Sequence, residues 1–219
     1  MAESTAIPVA TTPPVAHHFE DFEQQHEANT LGMWTFLATE VLFFGVLFAA
    51  FYIYRASYTA VFKVASHELY MSIGAINTVV LLTSSLTVAL AVHAGEHKER
   101  RRMVRFMLAT LVLGLAFLGF KAFEYFLDYR EHLVPAFNFA WAEPNPGQAQ
   151  LFFIFYFIMT LVHALHMIIG IGVLLVMTWL ARRGRYDQDA TPVELFGLYW
   201  HFVDIVWIFL FPTLYLLRQ

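Results

Sequence analysis

Ionisable side chains occur at four places inside strongly apolar stretches of the sequence. Each is a candidate functional site, because a charge in hydrocarbon is costly and therefore rare. Glu40 lies in LATEVLFF, with no basic residue on that stretch before Arg55. At about 1.5 Å per helical residue, it lies roughly 13 Å from the start of the stretch. Two interpretations stay open: a neutral acid hydrogen-bonded in a packed bundle, or a carboxyl that exchanges a proton. A protonated Glu40 could be held by Asp204, His201 or a lipid headgroup at similar depth.

Lys121 and Glu124 are three residues apart, which places them on one face of a helix. They lie near the outer end of their apolar stretch. This spacing favours an ion pair that anchors the helix at the membrane interface over a role in ligand binding.

Histidines lie at three positions within the apolar stretches. His163 and His166 share a helix face, but a haem held by two histidines needs a second one on a facing helix at equal depth. His201 is about 10 Å shallower, so hydrogen-bonded structural histidines are predicted instead. Asp204 is three residues from His201 and could fix its tautomer. A zinc site is not predicted, because no third and fourth zinc ligands lie at the depth of His201 and Asp204. Trp200 is interpreted as a packing or headgroup contact.

The elements that position these residues follow from the composition. Of 219 residues, 59% are apolar and only 14% are charged, and the mean hydropathy is +0.58. A membrane-spanning helix needs about 20 predominantly apolar residues. Five stretches qualify, at about residues 31–54, 69–93, 103–127, 148–180 and 195–217. The sequence therefore predicts an all-α integral membrane protein, with a mobile cytoplasmic tail at 1–30 and a five-helix bundle at 31–219.

Charge and cysteine content exclude several classes of function. The 17 acidic residues outnumber the 13 basic ones, which argues against nucleic-acid binding. The absence of cysteine excludes thiolate copper sites and iron–sulfur clusters. Eight basic residues flank one side of the predicted bundle and four flank the other, which predicts a cytoplasmic N-terminus and an external C-terminus.

Five motifs together resemble subunit III of the haem–copper respiratory oxidases, the cytochrome c and quinol oxidases. In chain order they are GMWTFLATEVLFFGVLFAAFY (32–52), INTVVLLTSSLTVALA (76–91), KAFEY (121–125), HALHMIIG (163–170) and YWHFVDIVWIFLFPTLY (199–215). The resemblance covers about residues 31–217. The longer family members have seven helices, whereas this chain lacks the first two and is similar to the five-helix type.

The resemblance implies an accessory subunit that is not itself catalytic. Such a subunit carries no haem, copper or other metal of its own, packs against the catalytic subunit I that does, and binds phospholipid. It supports proton uptake and the integrity of the enzyme in a bacterial inner membrane. The family's carbodiimide-reactive carboxyl corresponds to Glu40, and the resemblance leaves lipid or structural roles for His163, His166, Trp200, His201 and Asp204.

Three other functions stay open beside this one. The related accessory subunit of nitric oxide reductase is the closest alternative. A catalytic or haem-binding subunit is disfavoured, because only three histidines lie at membrane depth. A stand-alone channel or transporter is disfavoured by the lack of internal repeats.

Overall fold

The protein folds into six helices and no strand within residues 21–217, the part of the chain that its computed structural model describes, apart from the Phe22 side chain. The helices are α1 (Phe22–Ser57), α2 (Thr59–His67), α3 (Met71–Glu96), α4 (Arg100–Arg130), α5 (Pro146–Arg182) and α6 (Thr191–Tyr215). All but α2 are long and apolar enough to cross a membrane. This confirms the predicted all-α membrane bundle with five spanning helices.

Helix starts are encoded by local sequence signals. Asp21 caps α1, since its carboxylate accepts a hydrogen bond from the backbone N–H of Gln24 at 2.8 Å. A proline occupies the first turn of both α5 and α6, where its missing N–H has no helical partner to lose. Because of the Asp21 cap, α1 begins nine residues before the predicted start at residue 31, so residues 22–30 are helical. The rest of the predicted tail, residues 1–20, lies outside the described residues.

The short helix α2 was not predicted. Its nine residues cannot span a bilayer, so a search for long apolar stretches passes over it. It is held by the fully buried Phe62, whose ring lies 5.6 Å from that of Phe51 and 5.4 Å from that of Phe152. α2 thereby ties the end of α1 to the beginning of α5.

The long helices α3 to α6 form the packed part of the bundle, and α1 lies at its edge. In the most apolar part of each helix, 56% of α6 is buried but only 17% of α1. His26 meets Thr191 at one end and Tyr52 meets Thr213 at the other, so α1 and α6 run parallel. We call the end where α1 begins the proximal end, and the end where α6 finishes the distal end.

Trp200 shows why small residues line the packed helices. Its indole ring lies so close to Gly114 of α4 and Gly170 of α5 that a Cβ there would come within 3.0 and 3.1 Å of the ring. The indole N–H donates to the Ser84 hydroxyl of α3 at 3.1 Å. Trp200 is fully buried and contacts α3, α4 and α5 from α6.

Candidate functional site

Glu40 of α1 faces His166 of α5, and the two side chains form a polar contact between these helices. The Glu40 Oε2 atom lies 3.1 Å from His166 Nε2. The sequence had placed both residues at membrane depth but had not paired them. Glu40 was expected to find Asp204, His201 or a lipid headgroup.

The hydrogen bond of the second ring nitrogen of His166 limits the protonation states that the Glu40–His166 pair can adopt. Nδ1 lies 2.8 Å from the backbone carbonyl oxygen of Val162, which can only accept a hydrogen bond, so Nδ1 carries a proton. A neutral imidazole then has its lone pair on Nε2 and accepts a hydrogen bond from a protonated Glu40. The alternative is an imidazolium that donates to a carboxylate. Both forms contain the same two protons and have zero net charge.

The backbone around His166 is held in place from α6. The Tyr199 hydroxyl donates to the carbonyl oxygen of His166 at 2.8 Å. The ring of Phe44 on α1 packs against the imidazole, with the two ring centres 5.2 Å apart. A proton can therefore move between carboxyl and imidazole without any backbone movement.

The Glu40–His166 pair lies at the edge of the bundle rather than in its centre. The Glu40 side chain is 18% exposed and the His166 side chain 14%. Phe36 and Phe43, four residues before and three after Glu40 on the same face of α1, are 40% and 47% exposed. The pair is thus accessible from the surface that lipid or another membrane subunit would cover.

His201 and Asp204 are not partners of each other, contrary to the prediction that Asp204 fixes the tautomer of His201. His201 Nδ1 lies 2.7 Å from the Ser85 hydroxyl of α3 instead. Asp204 is 2% exposed, and the Ser85 hydroxyl also lies close to its carboxyl group. Although the spacing of three places both on one side of α6, the contact that the imidazole makes is with Ser85 of α3 and not with Asp204.

His163 also differs from its prediction as a hydrogen-bonded histidine. It is fully buried, and neither ring nitrogen has a partner among the described residues. Its ring packs between Phe117, at 5.5 Å, and Trp207, at 5.1 Å. His163 therefore occupies an aromatic position in the core, whereas His166, one turn along α5, makes the polar contact.

Lys121 and Glu124 form the predicted ion pair, with Nζ 2.9 Å from Glu124 Oε2. Both side chains are at most 2% exposed, so the pair lies inside the bundle rather than on its surface. The Lys121 ammonium also donates to two hydroxyls, those of Tyr156 at 3.0 Å and Tyr215 at 2.8 Å. All three ammonium protons are therefore used.

The surroundings of Lys121 were missed by the sequence reasoning. Four rings lie within cation–π distance of the ammonium, between 4.5 and 5.6 Å: those of Tyr125, Tyr156, Trp207 and Tyr215. A second buried carboxylate, Asp128, accepts from the Tyr156 hydroxyl at 3.0 Å. Asp128 is four residues after Glu124, so the sequence could have predicted that it lies on the same helix face. We call Lys121, Glu124, Asp128, Tyr156 and Tyr215 the lysine cluster.

Comparison with known proteins identifies the family to which this chain belongs. The sequence family described as cytochrome c oxidase subunit III matches residues 18–218. The chain is 29% identical over 192 residues to a Staphylococcus haemolyticus protein named "Probable quinol oxidase subunit 3", which covers 87% of this chain and 90% of that protein. A Staphylococcus aureus (strain USA300) protein of the same name has the same identity and coverage. The chain therefore belongs to the cytochrome c oxidase subunit III family, as a multi-pass membrane subunit of a haem–copper oxidase.

Proposed function

We propose that this chain is the accessory subunit III of a haem–copper terminal oxidase, that it packs against the catalytic subunit I, and that it supports proton uptake there. The observation that carries the proposal is the Glu40–His166 pair, a proton-holding pair at the accessible edge of a chain of this family. The chain has no catalytic role of its own. Haem and copper belong to the partner subunits, and phospholipid fills the lipid-facing surface of α1.

The orientation proposed from the sequence is supported by the position of the basic residues. The loop after α3 with the beginning of α4, and the segment after α5, lie at the proximal end. They hold eight of the 13 lysines and arginines: Lys98, Arg100, Arg101, Arg102, Arg105, Arg182, Arg183 and Arg185. Basic residues favour the cytoplasmic side, so the proximal end and the N-terminus are cytoplasmic and the C-terminus is external. The membrane is then the inner membrane of a bacterium.

The role of the pair follows from its chemistry. The His166 Nδ1 proton is fixed by the Val162 carbonyl, so the mobile proton is the one between Nε2 and Glu40 Oε2. A proton that arrives at the pair converts it to an imidazolium beside a protonated acid, and its departure restores the neutral pair. Because the pair is partly exposed toward the partner surface, it can pass this proton to a group on the catalytic subunit.

Association with the catalytic subunit is tested by purification in mild detergent. A tagged chain is expected to copurify with a large haem-bearing polypeptide, whereas the separated chain is expected to show no haem absorbance and no bound copper. A haem band that stays with the separated chain, and disappears in His163→Ala or His201→Ala, would contradict the proposed cofactor-free role. A chain that is recovered only as a folded monomer would contradict the accessory role.

The proton role is tested with Glu40→Gln in the complete oxidase, which keeps the shape of the side chain and removes its titration. Proton uptake or the number of turnovers before inactivation is expected to fall, while the haems are reduced at an unchanged rate. Glu23→Gln, an exposed acid near the start of α1, is the matched control. Loss of assembly in Glu40→Gln would instead assign the pair a purely structural role.

The electron donor of the parent enzyme is proposed to be a quinol. The support is the name of the two staphylococcal relatives, which are called quinol oxidase subunits. The purified oxidase is expected to consume oxygen with a quinol and to be inactive with reduced cytochrome c. Oxygen consumption with cytochrome c alone would reverse this assignment, and reduction of nitric oxide in place of oxygen would favour the reductase alternative.

A further inference from the structure

The end of α3 carries two histidines and a glutamate in the sequence HAGEH, His93 to His97. Within residues 21–217 this is the one group of three histidine or acidic residues whose potential ligand atoms all lie within 4.8 Å of one another. All three side chains are exposed at the proximal end. The sequence reasoning concentrated on membrane depth and passed over them.

The tautomer of His97 suits it to bind a metal. Its Nδ1 lies 2.9 Å from the carbonyl oxygen of His93, so Nδ1 carries the proton and Nε2 keeps its lone pair. Histidines that bind metals usually donate their other ring N–H to a carbonyl or carboxylate in this way, which orients the ring. This hydrogen bond holds Nε2 ready before any ion arrives.

The separations between the three side chains are close to those of a coordinated set. His93 Nδ1 lies 3.9 Å from Glu96 Oε2, and the two imidazole rings are 4.2 Å apart. Ligands bound at about 2.0 Å to a tetrahedral ion are roughly 3.3 Å apart. The potential ligand atoms all lie within 4.8 Å of one another, so their separations exceed this value by at most about 1.5 Å, which rotation of the exposed side chains can close.

The electrostatic surroundings also favour a cation. The triad lies at the carboxyl end of α3, where the helix dipole attracts positive charge. Glu96 also lines a cavity of about 500 Å³ that carries four further acids and one lysine: Glu23, Asp187, Asp189, Glu194 and Lys98. Of the nearby arginines, Arg102 is paired with Glu99 at 2.9 Å and Arg100 with Asp187 at 3.5 Å.

We propose that His93, Glu96 and His97 form a binding site for a divalent transition-metal ion of the Zn²⁺ class. Two imidazole nitrogens and one carboxylate oxygen are a ligand set that Zn²⁺ takes with a water in the fourth position. The site is independent of the Glu40–His166 pair, which lies on other helices. Its existence does not depend on the oxidase function proposed above.

The test is equilibrium dialysis of the purified oxidase complex against radioactive Zn²⁺. The parent complex is expected to bind one ion more per copy of this chain than the His93→Gln and His97→Gln variants. Loss of a residue that only orients a metal ligand lowers metal affinity by at least about tenfold. Loss of a ligand itself should therefore lower the Zn²⁺ affinity of this site by at least that factor. Glu96→Gln keeps both imidazoles and should weaken binding less.

The matched control is His132→Gln, which removes an exposed histidine at the distal end and should leave Zn²⁺ binding unchanged. Equal stoichiometry and affinity in the parent and in both His93→Gln and His97→Gln would overturn the proposal. An equal loss of binding in His132→Gln would overturn it too, because it would indicate non-specific binding to surface histidines. Circular dichroism and recovery of the complex establish that each variant is folded.

Discussion

Two ionisable groups within the membrane bundle satisfy their charges in different ways. The lysine cluster has one cation and two carboxylates, enclosed by tyrosine hydroxyls and aromatic rings and at most 2% exposed. The Glu40–His166 pair has a single contact between two side chains and is 14–18% exposed. One is fully enclosed and the other is open toward the surface of the bundle.

The difference indicates which ionisable residues are structural and which are available for function. Lys121 uses all its donors on neighbours within the bundle, so a proton cannot leave it without breaking several bonds. Glu40 and His166 share one proton, and its transfer between them breaks no other contact. Both regions look alike in sequence, since each is a charge among apolar residues.

The largest expected effect is that of Lys121→Met. It leaves Glu124 and Asp128 buried without a cation, and breaking a buried ion pair in this way costs about 3–5 kcal/mol of unfolding free energy. We expect strongly reduced stability in detergent and loss of the subunit from the complex. Thermal or denaturant unfolding of the purified variant measures the change in stability.

Two further variants sharpen this result. Lys63→Met removes an exposed lysine on α2 and should leave stability unchanged, so it controls for the substitution itself. The triple variant Lys121→Met, Glu124→Gln and Asp128→Asn removes the orphaned charges and should regain much of the loss. If the single variant were as stable as the parent, the lysine cluster would not hold the bundle together.

The second prediction concerns reaction with a hydrophobic carbodiimide, which attacks protonated carboxyls in apolar surroundings. Glu40 is reachable from the bundle surface, whereas Glu124 and Asp128 are fully enclosed. The label is therefore expected on α1 and not on α4, and Glu40→Gln should abolish most of it. Peptide mapping by mass spectrometry locates the label. Equal labelling of parent and variant would assign the reactive carboxyl to another residue and remove the distinction between the two regions.

The third prediction compares one substitution at two positions on α5. His166→Phe leaves Glu40 without its partner and should cost about 1–3 kcal/mol of unfolding free energy, as for other unpaired polar groups. His163→Phe places a ring where His163 already packs between rings and has no hydrogen bond to lose. It should be neutral or slightly stabilising. Equal destabilisation by both would show that His163 has a polar partner beyond the described residues.

The sequence was sufficient for the fold class and for several positions of the site. Five apolar stretches predicted the five spanning helices, because hydrocarbon demands long apolar helices whatever their packing. The spacing of Lys121 and Glu124 predicted their contact, since residues three apart always adjoin on a helix. Such local relations can be read without knowing how the helices pack.

Contacts between helices could not be predicted in this way. The pairing of Glu40 with His166 joins residues 126 apart, whereas depth alone suggested Asp204, His201 or a lipid headgroup as the partner of Glu40. His201 instead contacts Ser85, and Trp200 contacts Ser84, because the rotation of α6 against α3 decides which side chains meet. Hydropathy gives the depth of a residue but not the direction in which its helix face points.

The last and smallest prediction uses Tyr70 to report the charge of the lysine cluster. Tyr70 lies between α2 and α3 at the distal end, and its hydroxyl donates to Glu131. That hydrogen bond, then burial, then nearby carboxylate charges including that of Asp128 raise the pKa of Tyr70 to about 12, from 10.0. Because the folded protein holds the phenol proton more tightly, the contact is fully stabilising below pH 10 and is lost between pH 10 and about 12.

Absorbance at the tyrosinate band, taken as the difference between the parent and Tyr70→Phe, follows this titration. Glu131→Gln should lower the pKa of Tyr70 most, since it removes the hydrogen-bonded charge. Asp128→Asn should lower it by a smaller amount, provided that Asp128 is ionised inside the lysine cluster. An unchanged titration in Asp128→Asn would mean that Asp128 holds a proton, and that the lysine cluster has one cation and one anion. The enclosed region would then also contain an exchangeable proton, and exposure alone would separate it from the Glu40–His166 pair.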